Sequence, residues 1–292
     1  MKKFIYSLLV IIIAISLSGC ALSKEDIAKI KQNCSSQGED FIYHEGECLE
    51  TKYIDGTKKG IINIIFHGGS NGAKDTLSMI QGFAADLAQK TGYKTYYYAR
   101  PTYGKSSQNV WYKVKKNFQE IDEKYIQYNS RFVKKLLSKE NATKANLIAF
   151  SAGTTVSANI ATLTPNIVNK VILIGGQYDF YKQQVIAAEA YGGCADCKKN
   201  NLRKAIAGGF IPIKNVDMIN KDLKFFIIAG DKDRLCPKSL SEEYVDELKE
   251  YKIKHKYLLY KQDGKFYNPE AGHKALFFEP NIWDATSKFI NE

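Results

Sequence analysis

Ser151 lies where a run of strand-forming residues ends and a helical pattern begins, in the segment 146–161, "NLIAFSAGTTVSANIA". A serine held on such a corner can act as a nucleophile when a neighbouring base removes its proton. Ala149 and Gly153, two residues before and two after, are small enough for the crowded backbone of that turn. The same serine could instead be the N-cap of the following helix, because serine is preferred at that position. The segment alone leaves both interpretations open.

Three other predicted strand ends carry residues that could take part in the same chemistry. One ends in the stretch 67–70, "HGGS", whose glycines let a backbone N–H approach a developing negative charge. Another ends in Asp231 and Asp233, and a carboxylate behind an imidazole fixes its tautomer and stabilises its charged form. His273 follows the last predicted strand, where a general base for Ser151 is expected. The structural alternatives are a glycine turn, a turn aspartate and a loop histidine.

The order of these residues along the chain matches a known catalytic arrangement. Ser151, Asp233 and His273 follow one another as in the α/β-hydrolase triad, and the glycine-rich stretch precedes them. The segment "AFSAG" resembles the GxSxG nucleophile corner of that superfamily, with Ala149 in place of the first glycine. The segment "ARPTYGKSS" is similar to its RPGYGxS sequence, with Thr102 in place of the glycine. The resemblance implies a serine hydrolase.

The resemblance also implies roles for neighbouring residues. In α/β hydrolases the oxyanion is bound by the N–H of the residue after the nucleophile, here Ala152, and by one N–H from the glycine-rich loop. Gly69 is the expected second donor, and Ser70 is the alternate. The likeness assigns the acid to Asp233, with Asp179 as its rival because some members of the superfamily carry the acid after the preceding strand. It implies no cofactor and no metal ion.

Alternating strands and helices must bring these residues together. The run from Ile61 to Phe66 is apolar and β-branched, which suits a strand covered on both faces of a parallel sheet. Segments with helical spacing separate it from later strand-like runs, and sites in open parallel sheets form at the carboxyl ends of the strands. With the resemblance, which spans about residues 58–290, the pattern predicts an α/β-hydrolase fold. We expect a mostly parallel sheet, helices on both faces and a small cap insertion.

The composition divides the chain into three parts. Residues 1–20 read as a signal peptide, and residues 21–55 are polar and irregular, which indicates a linker and a disulfide-stapled segment. Residues 56–292 form the predicted hydrolase domain. Within it, residues 177–222 interrupt the alternation of strands and helices. They lie where the superfamily inserts its cap, so we expect them to shape the substrate pocket.

The N-terminal segment "MKKFIYSLLVIIIAISLSGC" has Lys2 and Lys3, then an apolar run from Phe4 to about Leu17 that is shorter than a spanning helix. Its ending resembles the bacterial lipoprotein signal, which implies cleavage before Cys20 and lipidation of that cysteine. More than one acyl chain gives stable anchoring. We therefore expect attachment to a membrane on the extracytoplasmic side of the cell envelope. An uncleaved anchor with an incidental cysteine is the alternative.

The other cysteines suit that compartment. Cys34 and Cys48 would close a loop of about 15 residues, worth roughly 3 kcal/mol in the chain-entropy model. The "CADC" segment places Cys194 and Cys197 in a second candidate disulfide, and Cys236 is left over. A redox site is less favoured because the strand-to-helix context of thioredoxin-like motifs is missing. A zinc site is also disfavoured because no second ligand pair is evident.

The chain has a net charge of +11, but its lysines are scattered without a concentrated patch, which argues against nucleic-acid binding. Solvated faces near an anionic envelope explain them. The sequence therefore predicts a lipid-anchored extracytoplasmic serine hydrolase that cleaves an ester-type bond in a small-molecule or lipid substrate. The alternative is a catalytically inactive hydrolase-fold lipoprotein that serves as a binding or scaffold protein.

Overall fold

The predicted sheet is present in the computed structural model, which describes residues 22–69, 77–110, 119–194, 202 and 208–292. Within these residues eight strands form one sheet in the order β1-β2-β4-β3-β5-β6-β7-β8. Strands β3 to β8 are parallel, so the predicted fold class is confirmed. The strands are β1 (Phe41–His44), β2 (Glu47–Ile54), β3 (Lys58–Phe66), β4 (Tyr93–Tyr98), β5 (Lys144–Phe150), β6 (Val168–Ile174), β7 (Lys224–Gly230) and β8 (Lys254–Tyr260).

Helices cover both faces of the sheet because successive side chains of its buried strands point to opposite sides. On β3, Ile64 packs in one apolar cluster with Phe132 and Val156, while Ile65 packs in a second cluster with Phe83. The helices are α1 (Lys24–Ser35), α2 (Ser78–Thr91), α3 (Glu123–Lys139), α4 (Ala152–Leu163), α5 (Phe180–Ala190), α6 (Lys238–Glu250), α7 (Pro269–Phe278) and α8 (Pro280–Asn291).

The interpretation of residues 21–55 as an irregular linker is wrong, because this segment extends the sheet. Strands β1 and β2 form an antiparallel hairpin, and β2 pairs antiparallel with β4. Glu45 and Gly46 at the hairpin turn both have positive φ angles, 43° and 88°, as tight turns between antiparallel strands require. The predicted disulfide between Cys34 and Cys48 is confirmed, and it ties α1 to β2.

The predicted cap region, residues 177–222, contains α5 and two short 3₁₀ turns, Pro212–Lys214 and Val216–Met218. Residues 195–201 and 203–207 lie outside the described part, as does the predicted lipidation site, Cys20. Among the described residues, no helix has the length and apolarity needed to cross a membrane. The parallel strands carry their carboxyl ends to one edge of the sheet, where the candidate site lies.

Candidate active site

Ser151 forms the corner between β5 and α4 in a strained backbone conformation. Its φ and ψ angles are 53° and −125°, a combination that L-residues adopt at a cost of about 1–3 kcal/mol. The crowding is real, because a Cβ on Gly153 would lie 2.4 Å from the backbone oxygen of Phe66. The Ser151 side chain makes no capping hydrogen bond to α4. Ser151 therefore stands at the N-cap position of α4, but its hydroxyl does not hold the helix.

His273 and Asp233 form a buried hydrogen-bonded pair. Nδ1 of His273 lies 2.7 Å from Oδ2 of Asp233, and the two side chains are almost fully buried. Because a carboxylate only accepts, Nδ1 carries the proton and Nε2 is left as the acceptor. The backbone N–H groups of Leu235 and Cys236 both donate to Oδ1 of Asp233 at 2.9 Å, which fixes the carboxylate. The pair has the geometry of an oriented general base.

The structure corrects the local setting of His273, which lies in helix α7 and not in the expected loop. Asn268 caps this helix, and Pro269 occupies its first turn, so the sequence "NPEAGH" is itself a helix start. The imidazole stacks on the ring of Phe150 with centroids 4.7 Å apart. Since Phe150 immediately precedes Ser151, this stacking brings the histidine to the serine corner.

A glycine at the end of β6 makes room for the pair. Gly175 has a φ of 56°, and a Cβ there would lie 3.2 Å from Cε1 of His273 and 3.3 Å from Oδ2 of Asp233. The rival carboxylate lies elsewhere: Asp179 caps α5 by accepting from the backbone N–H of Lys182 at 3.0 Å. Of the two predicted acids, Asp233 is therefore the one that contacts the histidine.

The glycine loop, which we define as residues 67–69, packs directly against the serine corner. A Cβ on Gly68 would lie 2.9 Å from Cβ of Ser151, and one on Gly69 would lie 3.5 Å from Cβ of Ala152. Glycine is thus required at position 68 by this close approach. Gly69 and Ala152, the two expected oxyanion donors, are neighbours in space. The alternate donor, Ser70, lies outside the described residues.

These groups surround one cavity of about 740 Å³. Ser151, Ala152, Gly69 and His273 all border it, so nucleophile, base and expected donors share one space. Helix α5 covers another side, and the lining is partly apolar and partly polar. Within the described residues no group of histidine, cysteine, aspartate and glutamate side chains is arranged to hold a metal ion. On this side the cavity is lined by side chains of α5 and by Tyr191, just after it; those of α5 are Phe180, Gln183, Gln184, Ala187 and Ala188.

Comparison with known proteins agrees with this architecture. A profile of the α/β-hydrolase fold matches residues 64–193, and no curated protein sequence matches significantly. A predicted CIB-like hydrolase from Thermoplasma acidophilum is 16% identical, with a TM-score of 0.57 and coverage of 86% of this chain and 96% of that one. The chain has the α/β-hydrolase fold. The profile match also supports an α/β-hydrolase enzyme.

Two further structures share this α/β-hydrolase fold. The Pyrococcus furiosus esterase Pf2001 is 16% identical, with a TM-score of 0.60 and coverage of 86% of this chain and 90% of that one. A membrane phospholipase A, described as a novel bacterial virulence factor, is 14% identical with a TM-score of 0.57. That match covers 100% of this chain and 98% of the phospholipase. At such identities the likeness is one of fold.

Behind the glycine loop, this hydrolase fold buries an ion pair that the sequence did not predict. Arg100 is fully buried, and its Nη1 donates to Oε1 of Glu120 at 3.2 Å. Burial lowers the pKa of Arg100, but Tyr125, Glu120 and other neighbours raise it above its ordinary value, so it stays charged. Arg100 follows β4 in the segment that resembled RPGYGxS, whereas nothing in the sequence marked Glu120 as its partner. Thr102, in place of the glycine, has a φ of 74°.

At its rim, the hydrolase fold joins the predicted cap to the helix that carries His273. The hydroxyl of Tyr191, just after α5, donates to Oε1 of Glu270 on α7 at 2.7 Å. Lys274 forms an ion pair with Glu270. The hydrogen bonds from Lys274 and Tyr191 lower the pKa of Glu270. All three side chains border the cavity.

Cysteines also lie beside the cavity. Cys194 borders it and is disulfide-bonded, while Cys197, its predicted partner, lies outside the described residues. Cys236 is a buried free thiol whose backbone N–H holds Asp233. Burial raises the pKa of the Cys236 thiol well above its ordinary value, so it is a protonated, unreactive group at neutral pH.

Proposed function

We propose that the protein is a serine hydrolase that cleaves an ester-type bond through an acyl-enzyme on Ser151. Nε2 of His273 accepts the Ser151 proton as Oγ attacks the ester carbonyl, and Asp233 stabilises the resulting imidazolium. The N–H groups of Ala152 and Gly69 receive the oxyanion. The imidazolium then protonates the leaving alcohol, and a water molecule activated by the same histidine releases the acid.

The observation that carries this proposal is the state of the serine corner. Ser151 occupies a strained conformation, its hydroxyl caps nothing, and it borders the same cavity as a histidine already oriented by a buried carboxylate. Strained residues of this kind persist where the surrounding structure enforces them, typically at functional sites. A binding or scaffold protein would have no need for this combination.

Labelling with a fluorophosphonate probe tests the proposal, because an activated serine displaces fluoride and becomes phosphonylated. We expect one label per molecule, located on Ser151 by mass spectrometry and lost in Ser151→Ala. Ser157→Ala is the matched control: Ser157 is buried on the same helix, and no hydrogen-bond partner for its hydroxyl is found among the described residues. Absence of labelling on folded wild type would favour the scaffold alternative, and labelling that survives Ser151→Ala would refute Ser151 as the nucleophile.

For the substrate, we propose a carboxylester, with lipid esters favoured over peptides. The partly apolar cavity suits an acyl chain, and the fold is shared with an esterase and with a membrane phospholipase A. A series of acyl esters of increasing chain length tests this preference. Rates that rise with chain length support it, and hydrolysis confined to acetyl or peptide substrates contradicts it.

The proposed location is the extracytoplasmic face of a membrane, through lipidated Cys20. It is supported by the N-terminal sequence alone. Metabolic labelling with a radioactive fatty acid is the test. We expect label in the wild type and none in Cys20→Ser, and continued labelling of Cys20→Ser would refute the lipoprotein interpretation.

A further inference from the structure

The glycine loop is held from behind by Arg100. The backbone N–H of Arg100 donates to Nε2 of His67 at 3.1 Å, and its Nη2 donates to the carbonyl oxygen of His67 at 3.2 Å. Because Nε2 accepts, Nδ1 carries the imidazole proton and donates to the carbonyl oxygen of Gly68 at 2.6 Å. The backbone of Arg100 therefore holds the His67 imidazole, and its guanidinium holds the His67 carbonyl at the start of the loop.

Glu120 links this clamp to the cavity. Its Oε1 accepts from Arg100 and, at 3.1 Å, from the hydroxyl of Tyr103. That hydroxyl lies 3.9 Å from the position of a Cβ on Gly69, and Tyr103 and Glu120 both border the cavity. The guanidinium also stands 4.9 Å from the centroid of the Tyr103 ring. The buried carboxylate is thus connected to the surroundings of the expected oxyanion donor through the Tyr103 hydroxyl.

Such a placement has an electrostatic consequence. A buried carboxylate near the oxyanion would repel the negative charge of the tetrahedral intermediate, and the low dielectric of a closed site would strengthen that repulsion. Arg100 cancels the charge of Glu120. Buried ion pairs contribute little net stability, since desolvation offsets their attraction. The ion pair itself is therefore weak evidence for a purely stabilising role of Arg100.

We propose that Arg100 is a positioning residue: it fixes the glycine loop and neutralises Glu120, so that the site accepts the oxyanion of the intermediate. This inference rests on the proposed hydrolase function. Arg100, in the segment "ARPTYG", and Glu120 would then affect the reaction without contacting the substrate.

The test compares ester hydrolysis by four proteins: wild type, Arg100→Lys, Arg100→Met and the double variant Arg100→Met/Glu120→Gln. We expect Arg100→Met to lower kcat by roughly 10²-fold, as the loss of an oxyanion contact does, with KM changed little. The double variant should recover about tenfold, because it no longer leaves a lone buried carboxylate. Arg100→Lys should fall between wild type and Arg100→Met, since it keeps the charge but not the forked geometry.

A transition-state mimic separates positioning from general damage. Affinity for an alkyl trifluoromethyl ketone, which forms an oxyanion on the serine, should fall in parallel with kcat. Lys94→Met is the matched control, because Lys94 pairs with Glu140 at 3.2 Å and lies at the far end of β4. We expect it to change the melting temperature without changing kcat.

The outcomes distinguish the two proposals. If wild type shows no turnover that depends on Ser151, the proposed function fails and this inference fails with it. If wild type turns over while Arg100→Lys and Arg100→Met keep its kcat and its ketone affinity, only this inference is overturned. A double variant as slow as Arg100→Met would overturn the part assigned to the charge of Glu120. If Arg100→Met does not fold, the comparison of Arg100→Lys with wild type decides.

Discussion

The two ends of the parallel strands are built differently. At the carboxyl end, Ser151 is strained, Glu120 and Asp233 are buried charges, and a cavity remains open. Toward the amino end, Asn146 donates to Asn63 at 2.9 Å and accepts from Asn169 at 2.8 Å, so three neighbouring strands share a satisfied polar ladder. The carboxyl end holds groups in conformations that cost free energy, whereas the polar groups toward the amino end bond neighbouring strands to each other. The difference separates residues that we expect to serve activity from residues that serve stability.

Among the variants that leave Ser151 in place, Asp233→Asn should have the largest effect at the carboxyl end. An asparagine can hold the imidazole in the wrong tautomer, so kcat should fall by about 10⁴. Asp179→Asn is the matched control, because asparagine caps helices as well as aspartate does. It should leave kcat unchanged. Steady-state ester hydrolysis measures both, and the reverse pattern would mean that the acid was misassigned.

At the amino end, Asn146→Ala should give the opposite pattern. It removes the partner of the buried side-chain carbonyl of Asn63, and an unsatisfied buried group costs about 1–3 kcal/mol, whereas the partly buried amide of Asn169 can turn to water. We expect the free energy of unfolding in urea to fall by about 1–3 kcal/mol while kcat per folded molecule is unchanged. A loss of kcat without a loss of stability would contradict the proposal that the amino end serves stability and the carboxyl end serves activity.

A strained residue away from the site offers a sharper comparison. Lys252 follows α6 with a φ of 59°, and Ile253 donates back to the carbonyl oxygen of Leu248, the C-terminal motif in which glycine is preferred. Lys252→Gly should raise the free energy of unfolding by about 1 kcal/mol with no change in kcat. A destabilised Lys252→Gly would show that positive φ is not what costs free energy here.

The smallest expected effect concerns the contact between the predicted cap and α7. The pKa of Glu270 is lowered in the folded state by Lys274 and Tyr191, so its stabilisation is present above its ordinary pKa of about 4.3 and is lost as pH falls through the lowered value. Because the carboxylate is 40% exposed, Glu270→Gln should cost less than about 1 kcal/mol. Thermal unfolding at pH 7 and pH 3 measures this, and a difference that grows on acidification would contradict it.

The sequence predicted most of the sheet and the order of the site residues, because buried parallel strands leave long apolar runs and because short motifs mark the strand ends. It did not predict β1 and β2, since these strands are polar and are held by pairing with β4 and by a disulfide. It placed His273 in a loop, although Asn268 and Pro269 mark the start of α7. Glu120 was missed because its significance depends on its contact with Arg100, which no local pattern reveals.

The central claim is that the strain at Ser151 serves catalysis, and Ser151→Gly tests it most directly because glycine tolerates the backbone angles but carries no hydroxyl. We predict that kcat falls by about 10⁶, as loss of a catalytic serine does, while the free energy of unfolding rises by about 1 kcal/mol. Lys252→Gly should show the same gain in stability with full activity. A Ser151→Gly protein that still hydrolyses esters at the wild-type rate would contradict the account.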